Sequence, residues 1–269
     1  MQRGEKMKKI TLNTLRQYKQ DSKKIVAITA YDALMAGIFD EVVDVILVGD
    51  SLNMSFNAKH DTLGLSVRDM LYHTKAVCAG AKRAFIIADM PFGSYATKQK
   101  ARKNALRFYT QTNCDALKLE INEDKLDIVE SLVKEGFAIM PHIGLCPQSV
   151  RGEGGYKVKG KDSLNAKNLL NLAKECERVG AFGILLEGIT SSLGAEISKS
   201  LTIPTIGIGA GVDCDGQILV WSDVFGFFDA FKPKFVRRYF NGKELLHNAI
   251  QNYASDVREC RFPNDEESY

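Results

Sequence analysis

The 269-residue chain is poor in the features that mark several large classes of protein. Its six cysteines (Cys78, Cys114, Cys146, Cys176, Cys214 and Cys260) form no C-x-x-C pair. Neither zinc nor a disulfide framework is indicated, and the thiols are expected to be free, mainly buried, and in a reducing compartment. No run approaches the roughly 18 apolar residues needed to span a bilayer. The opening MQRGEKMKKITLN has no apolar stretch like that of a signal peptide, so membrane association is not expected and a cytoplasmic location is. Net charge is only +3, and the basic residues are dispersed without a long Lys/Arg block, which argues against nucleic acid as a partner. A G-x-G-x-x-G turn after the first strand-like run is also missing, which removes the best cue for a dinucleotide-binding open sheet.

What is present is alternation. Strand-like runs lie near 25–29, 45–49, 84–88, 115–120, 137–142, 183–187 and 204–208, with a less distinct eighth somewhere in 217–228. Between them, 66–80, 98–113, 122–135, 165–180 and 190–200 carry helical spacing. Strand then helix, seven or eight times over, implies parallel α/β architecture. A single (β/α)8 barrel domain over residues 1–269 is expected, with 50–65 and 142–163 as loops over its mouth. Residues 1–9 and about 256–269 are expected to be peripheral or frayed, and the segment before Met7 reads as an extension from an alternative start.

Five of the runs end on a residue able to bind a metal, an anion or a proton. VILVGD stops at Asp50, FIIAD at Asp89, DALKLE at Lys118 and Glu120, AIMPH at His142, and GILLE at Glu187. Taken singly, such an acid also reads as a helix cap or turn starter, above all Asp50 before Ser51 and Asp89 before Pro91. Together they describe a ring of acids around a shared open end, which fits a barrel mouth better than a single crevice. Asp50 and Asp89 would offer two hard oxygens to Mg²⁺, which usually takes only one or two protein carboxylates. Lys118 and Glu120, two apart on a strand, share a face. They can serve as an anion holder and an outer partner of the metal, or as a plain interior ion pair. His142 can be a pocket donor or a satisfied structural group. The glycine-rich GEGGYKVKGK (152–161) and GIGAG (207–211) are loops that could close over a negatively charged substrate.

Eleven motifs in order then resemble one family. ITAYDA (28–33), VGDSL (48–52), YHTKAV (72–77), ADMPF (88–92), KLE (118–120), HIGLCPQSV (142–150), GGYKVKG (154–160), LLE (185–187), GIGAG (207–211), DGQILV (215–220) and PKFVRRY (233–239) match the pattern of the 3-methyl-2-oxobutanoate hydroxymethyltransferases, also called ketopantoate hydroxymethyltransferases. The resemblance runs from about residue 10 to 265. It implies a (β/α)8 barrel of the phosphoenolpyruvate/pyruvate type, with 5,10-methylenetetrahydrofolate as co-substrate and 3-methyl-2-oxobutanoate as acceptor. Carried over by motif, Asp50 and Asp89 are Mg²⁺ ligands, Glu120 an indirect metal partner, Ser51 and Lys118 contacts of the keto acid, and Glu187 the catalytic base. A homodecamer is implied as well.

Three positions depart from the family pattern: Cys146 in place of Thr, Arg151 in place of Asn, and Val212 where Asn or Pro is common. All sit in mouth loops and leave the proposed metal acids untouched, so they bear on folate affinity or loop closure more than on reaction type. The alternative enzyme is a related Mg²⁺-dependent barrel lyase or mutase acting on a 2-oxo acid. A barrel that only binds metabolites is disfavoured by the full set Asp50, Asp89, Lys118, Glu120 and Glu187.

Overall fold

A computed structural model describes residues 8–228 and 232–269; the extension expected before Met7 lies outside them. Where the sequence leads to one domain, the structure groups the chain into two compact units, Met1–Val220 and Trp221–Tyr269. The first opens with helix α1 (Leu12–Gln20) and continues β1 (Ile25–Thr29), α2 (Ala33–Asp40), β2 (Val45–Val48), α3 (Leu52–Ser55), α4 (Val67–Gly80), β3 (Phe85–Asp89), α5 (Lys98–Gln111) and β4 (Ala116–Glu120). Then come α6 (Leu126–Lys134), β5 (Ile139–Gly144), α7 (Val150–Glu153), α8 (Ser163–Arg178), β6 (Ile184–Glu187), α9 (Ser191–Ser200), β7 (Thr205–Ile208) and β8 (Gly216–Leu219). The second unit holds α10 (Trp221–Val224) and α11 (Gly242–Arg258).

The eight strands close a parallel barrel in chain order, β8 pairing back onto β1. Their Ile, Val, Leu and Ala content suits strands buried on both faces, and β2, β3 and β4 are buried at every position. Helices start where short polar side chains take up free amides. Ser66 and Asp69 form a capping box at α4, and Asp162 caps α8. The eighth strand is hard to read because GQIL is short and turns Gln217 outward. Helices α1, α2 and α11 stand outside the expected helical segments, although Thr11 and Asp32 cap the first two in the ordinary way.

The inside of the barrel is a two-residue ladder. Ala27, Leu47, Ile87, Ala116, Met140, Leu185 and Ile206 belong to one apolar cluster that Ile10 and Leu15 close from below. Because side chains alternate along a strand, the residue two places further on faces the same way. Above the plug this brings Thr29, Gly49, Asp89, Lys118, His142 and Glu187 to the carboxyl end of the barrel.

Of the ends expected to be peripheral or frayed, residues 1–7 lie outside the described residues. Lys9 donates to Asp115 at 2.6 Å and to the Ala84 carbonyl at 2.7 Å, which ties the segment just before α1 to the barrel. Residues 256–258 complete α11, and Asn264 caps a short 3-10 turn, Asp265–Glu267. The polar tail is exposed, yet local capping and the Arg261–Asp256 ion pair at 2.8 Å order it.

Candidate active site

Five strand-end side chains meet in a nearly enclosed chamber. Asp50, Asp89, Lys118, Glu120 and His142 are each 1–4% exposed, whereas the Glu187 side chain keeps 18% and faces the open mouth. Asp89 accepts from the Asp50 amide at 2.9 Å through Oδ2, and its Oδ1 lies 3.1 Å from Lys118 Nζ. Lys118 therefore pairs with Asp89 of the neighbouring strand; the plain ion pair with Glu120 of its own strand is not what forms. Gly49 leaves the necessary room, since a Cβ there would lie 2.8 Å from Ser51 Oγ and 3.7 Å from Asp89 Oδ2. Gly144 does the same at the other side: at φ +99° a Cβ would meet the Glu187 carbonyl at 2.3 Å.

His142 sits between charges. Its Nδ1 is 3.3 Å from Lys118 Nζ and its Nε2 is 3.3 Å from Glu187 Oε2. Burial, then the Lys118 ammonium, push its pKa below the usual imidazole range, so the ring is neutral near pH 7. A neutral ring accepting from Lys118 through Nδ1 must carry its proton on Nε2, directed at Glu187. Ser51 Oγ shares a hydrogen bond of 2.7 Å with the Tyr31 hydroxyl.

The chamber holds more negative than positive groups. Burial, opposed by Lys118 but reinforced by Asp50, raises Asp89 to about 7. Burial, with Asp50 and Glu187 adding to it against Lys118, pushes Glu120 well above the usual carboxylate range. Burial alone would lower Lys118, but the Asp89, Asp50 and Glu120 carboxylates outweigh it and hold the ammonium above its ordinary value. Asp89 Oδ1 has only the Lys118 ammonium near it and His142 Nε2 only the Glu187 carboxylate, while Glu120 Oε1 is buried without a hydrogen-bond partner. Such a set fits a hard divalent cation, whose positive charge would relieve the raised acids. Among the described residues no group of three or more His, Cys, Asp or Glu side chains is arranged around one metal position. Two carboxylates are enough for an ion that fills its other sites with water and substrate.

Two residues of this network escape sequence reasoning. Gln148, in the turn after β5, donates from Nε2 to Asp50 Oδ2 at 2.8 Å and from its amide to Glu120 Oε2 at 2.8 Å. Tyr95 donates its hydroxyl to Gln148 Oε1 at 2.5 Å. Gln148 thus links Glu120 to Asp50. Of the departures, Arg151 bonds Asp61 at 2.7 Å and joins the two mouth loops, and Val212 is exposed. The Cys146 thiol is raised well above its usual value by burial and then Glu120, so it stays protonated. Within 152–161, Lys159 pairs with Glu153 and bridges to Ile189, which anchors this loop just past Glu187. A cavity of about 240 Å³ opens beside Glu120, lined in part by Asn122, Lys125, Glu153 and Asn165.

Fold and site together define a (β/α)8-barrel enzyme with an acidic, lysine-bearing mouth at the carboxyl ends of its strands. Among solved structures, a phosphonopyruvate hydrolase crystallised with oxalate and Mg²⁺ is similar over 96% of this chain and 93% of its own, with TM-score 0.62 and 14% identity. A 2,3-dimethylmalate lyase of the PEP mutase/isocitrate lyase superfamily is similar over 96% and 91%, with TM-score 0.58 and again 14% identity. Likeness at that identity shows the fold alone. The model of the ketopantoate hydroxymethyltransferase family matches residues 9–265. The 3-methyl-2-oxobutanoate hydroxymethyltransferase of Helicobacter hepaticus is 62% identical over 97% of this chain and 99% of its own, and that of Campylobacter fetus is 56% identical over 98% and 99%. The chain belongs to the ketopantoate hydroxymethyltransferase family.

Proposed function

We propose that the strand-end chamber binds Mg²⁺ and 3-methyl-2-oxobutanoate and transfers to that keto acid a hydroxymethyl group from 5,10-methylenetetrahydrofolate. The products would be 2-dehydropantoate and tetrahydrofolate, on the way to pantothenate and coenzyme A. The observation that carries the reading is the excess of buried carboxylate over cation: one ammonium, Lys118, stands against Asp50, Asp89 and Glu120, and Glu120 Oε1 has no hydrogen-bond partner. Asp50 and Asp89 would hold the ion, and Glu120 would act from one step further out through Gln148. Mg²⁺, when bound, supplies a Lewis acid that draws charge from the keto oxygen and acidifies the proton on C3.

The chain's own groups do the rest. Lys118 and Ser51 fix the substrate carboxylate, the ammonium held in place by Asp89 and the hydroxyl by Tyr31. Glu187, the least buried of the acids, takes the C3 proton. His142 stands behind it as a neutral donor that sets the direction of the carboxylate. The cavity beside Glu120 gives the second substrate room to approach. The lyase reading has less support, because the family model matches residues 9–265, whereas the likeness to a lyase shows the fold alone.

The purified protein is expected to form 2-dehydropantoate from 3-methyl-2-oxobutanoate, methylenetetrahydrofolate and Mg²⁺, and to leave pyruvate-derived lyase substrates unchanged. Folded protein giving no product above a no-enzyme control sinks the assignment.

The proposal extends to assembly and location. No helix of the described residues is long and apolar enough to cross a membrane, and the cytoplasm is the compartment proposed. Along α11, Leu246, Ile250, Tyr253 and Val257 follow one another at spacings of four, three and four, and all are exposed. Such a seam is suited to self-association, and the state proposed is the homodecamer. Light scattering on the eluting protein should give about ten subunit masses at micromolar concentration; a monomer mass overturns this part.

A further inference from the structure

The three carboxylates of the chamber lie on β2, β3 and β4 or just beyond, yet one loop residue from after β5 touches the surroundings of all three. Gln148 is buried at 6% exposure in the short turn Pro147–Ser149. Its Nε2 donates to Asp50 Oδ2 at 2.8 Å and to the carbonyl of Met90, next to Asp89, at 3.1 Å. Its backbone amide donates to Glu120 Oε2 at 2.8 Å. Every donor that Gln148 owns is spent on the metal acids or on the backbone beside them.

Which way round the amide sits is decided by its neighbours. Asp50 Oδ2 and the Met90 carbonyl are both acceptors, so the side facing them must be the NH₂ group. The other end, Oε1, receives the Tyr95 hydroxyl at 2.5 Å, and Tyr95 in turn lies 3.2 Å from the Glu120 carbonyl. A flipped amide would set oxygen against two oxygens. We infer that Gln148 is a positioning residue for the metal-binding carboxylate of Asp50: it occupies Oδ2, leaves Oδ1 for the ion, and is itself oriented by Tyr95. The inference rests on the reading of Asp50 as a Mg²⁺ ligand. It also makes the mouth turn after β5 part of the metal site, since Asp50 is set only when that turn is seated.

Gln148→Leu keeps the bulk and removes the amide, and Tyr95→Phe removes only the hydroxyl that orients it. Calorimetric titration with MgCl₂ alone is expected to show Gln148→Leu binding about 10–100-fold more weakly, the usual cost of losing a partner behind a metal ligand. Tyr95→Phe should lose about 2–10-fold, the scale of one neutral hydrogen bond. The double variant should bind no more weakly than Gln148→Leu, because Tyr95 acts through Gln148. Raising Mg²⁺ should restore turnover in both variants, which damage to the fold would not allow. Parental Mg²⁺ affinity in folded Gln148→Leu overturns the inference, and so do losses that simply add in the double variant. Should Gln148→Leu fail to fold, parental affinity in Tyr95→Phe overturns it alone. An Asp50→Asn control with parental Mg²⁺ affinity would instead remove the reading of Asp50 on which the inference stands.

Discussion

Replacing Asp89 by Asn is expected to weaken Mg²⁺ binding by more than about 100-fold, beyond the 10–100-fold typical of a partner that only orients a ligand, and to weaken keto-acid binding with it. The two losses are coupled by geometry. Asp89 uses Oδ2 to accept from the Asp50 amide and Oδ1 to face Lys118. An Asn side chain has one acceptor and one donor, so in either orientation it sets an NH₂ group against the Asp50 amide or against the ammonium. Lys118, the group proposed to hold the substrate carboxylate, then loses its anchor. Asp50→Asn should behave differently. Gln148 donates only to Oδ2 of Asp50, and an Asn oxygen can still accept that bond, so the charge is lost with little change in shape. Calorimetry with Mg²⁺ and with 3-methyl-2-oxobutanoate, each alone and together, separates the cases. Parental metal affinity in either variant would return that acid to the role of a turn starter.

Much of this site could be read from the sequence because it follows the strand ladder. Asp89, Lys118, His142 and Glu187 each stand two residues beyond a core-facing Ile87, Ala116, Met140 or Leu185, and Glu120 two beyond Lys118. The apolar run announces the strand, and its polar terminus announces the mouth. Gln148 and Tyr95 give no such signal. Each lies in a loop, where a PQS or SYA triplet reads as turn chemistry, and their link spans 53 positions of sequence. Nor does periodicity reveal that Lys118 turns to Asp89 and away from Glu120. That choice is made by the parallel register, which sets Asp89 opposite Lys118. The start of the tail is hard to read for a related reason: its polar composition suggests fraying, while the stripe at Leu246, Ile250, Tyr253 and Val257 continues helical spacing to Arg258.

Glu187→Gln is expected to lower turnover by about 10²–10⁴, the usual worth of a general base, while Mg²⁺ and keto-acid affinity stay close to parental. Three observations set Glu187 apart from the other acids. It ends β6, across the ring from the β2 turn that carries Asp50, so it faces the proposed substrate from the side away from the metal acids. It is the one carboxylate of the group with appreciable exposure, at 18%, so a proton it accepts has a way out. Its neighbour at 3.3 Å is His142, whose lowered pKa keeps it a neutral donor and so leaves the carboxylate uncancelled by a second positive charge. Gln preserves the shape and the contact with the imidazole edge, and removes only the ability to accept a proton. Loss of rate without loss of affinity is the mark of a group used in the transition state alone. Proton removal can be watched without the co-substrate, as exchange of deuterium into C3 of 3-methyl-2-oxobutanoate followed by NMR with Mg²⁺ present. In the parent protein the C3 signal should be lost on the time scale of turnover or faster, and in Glu187→Gln it should persist. Exchange at the parental rate in the variant would assign the base to another group, and His142, already 3.3 Å away, would be the next to replace.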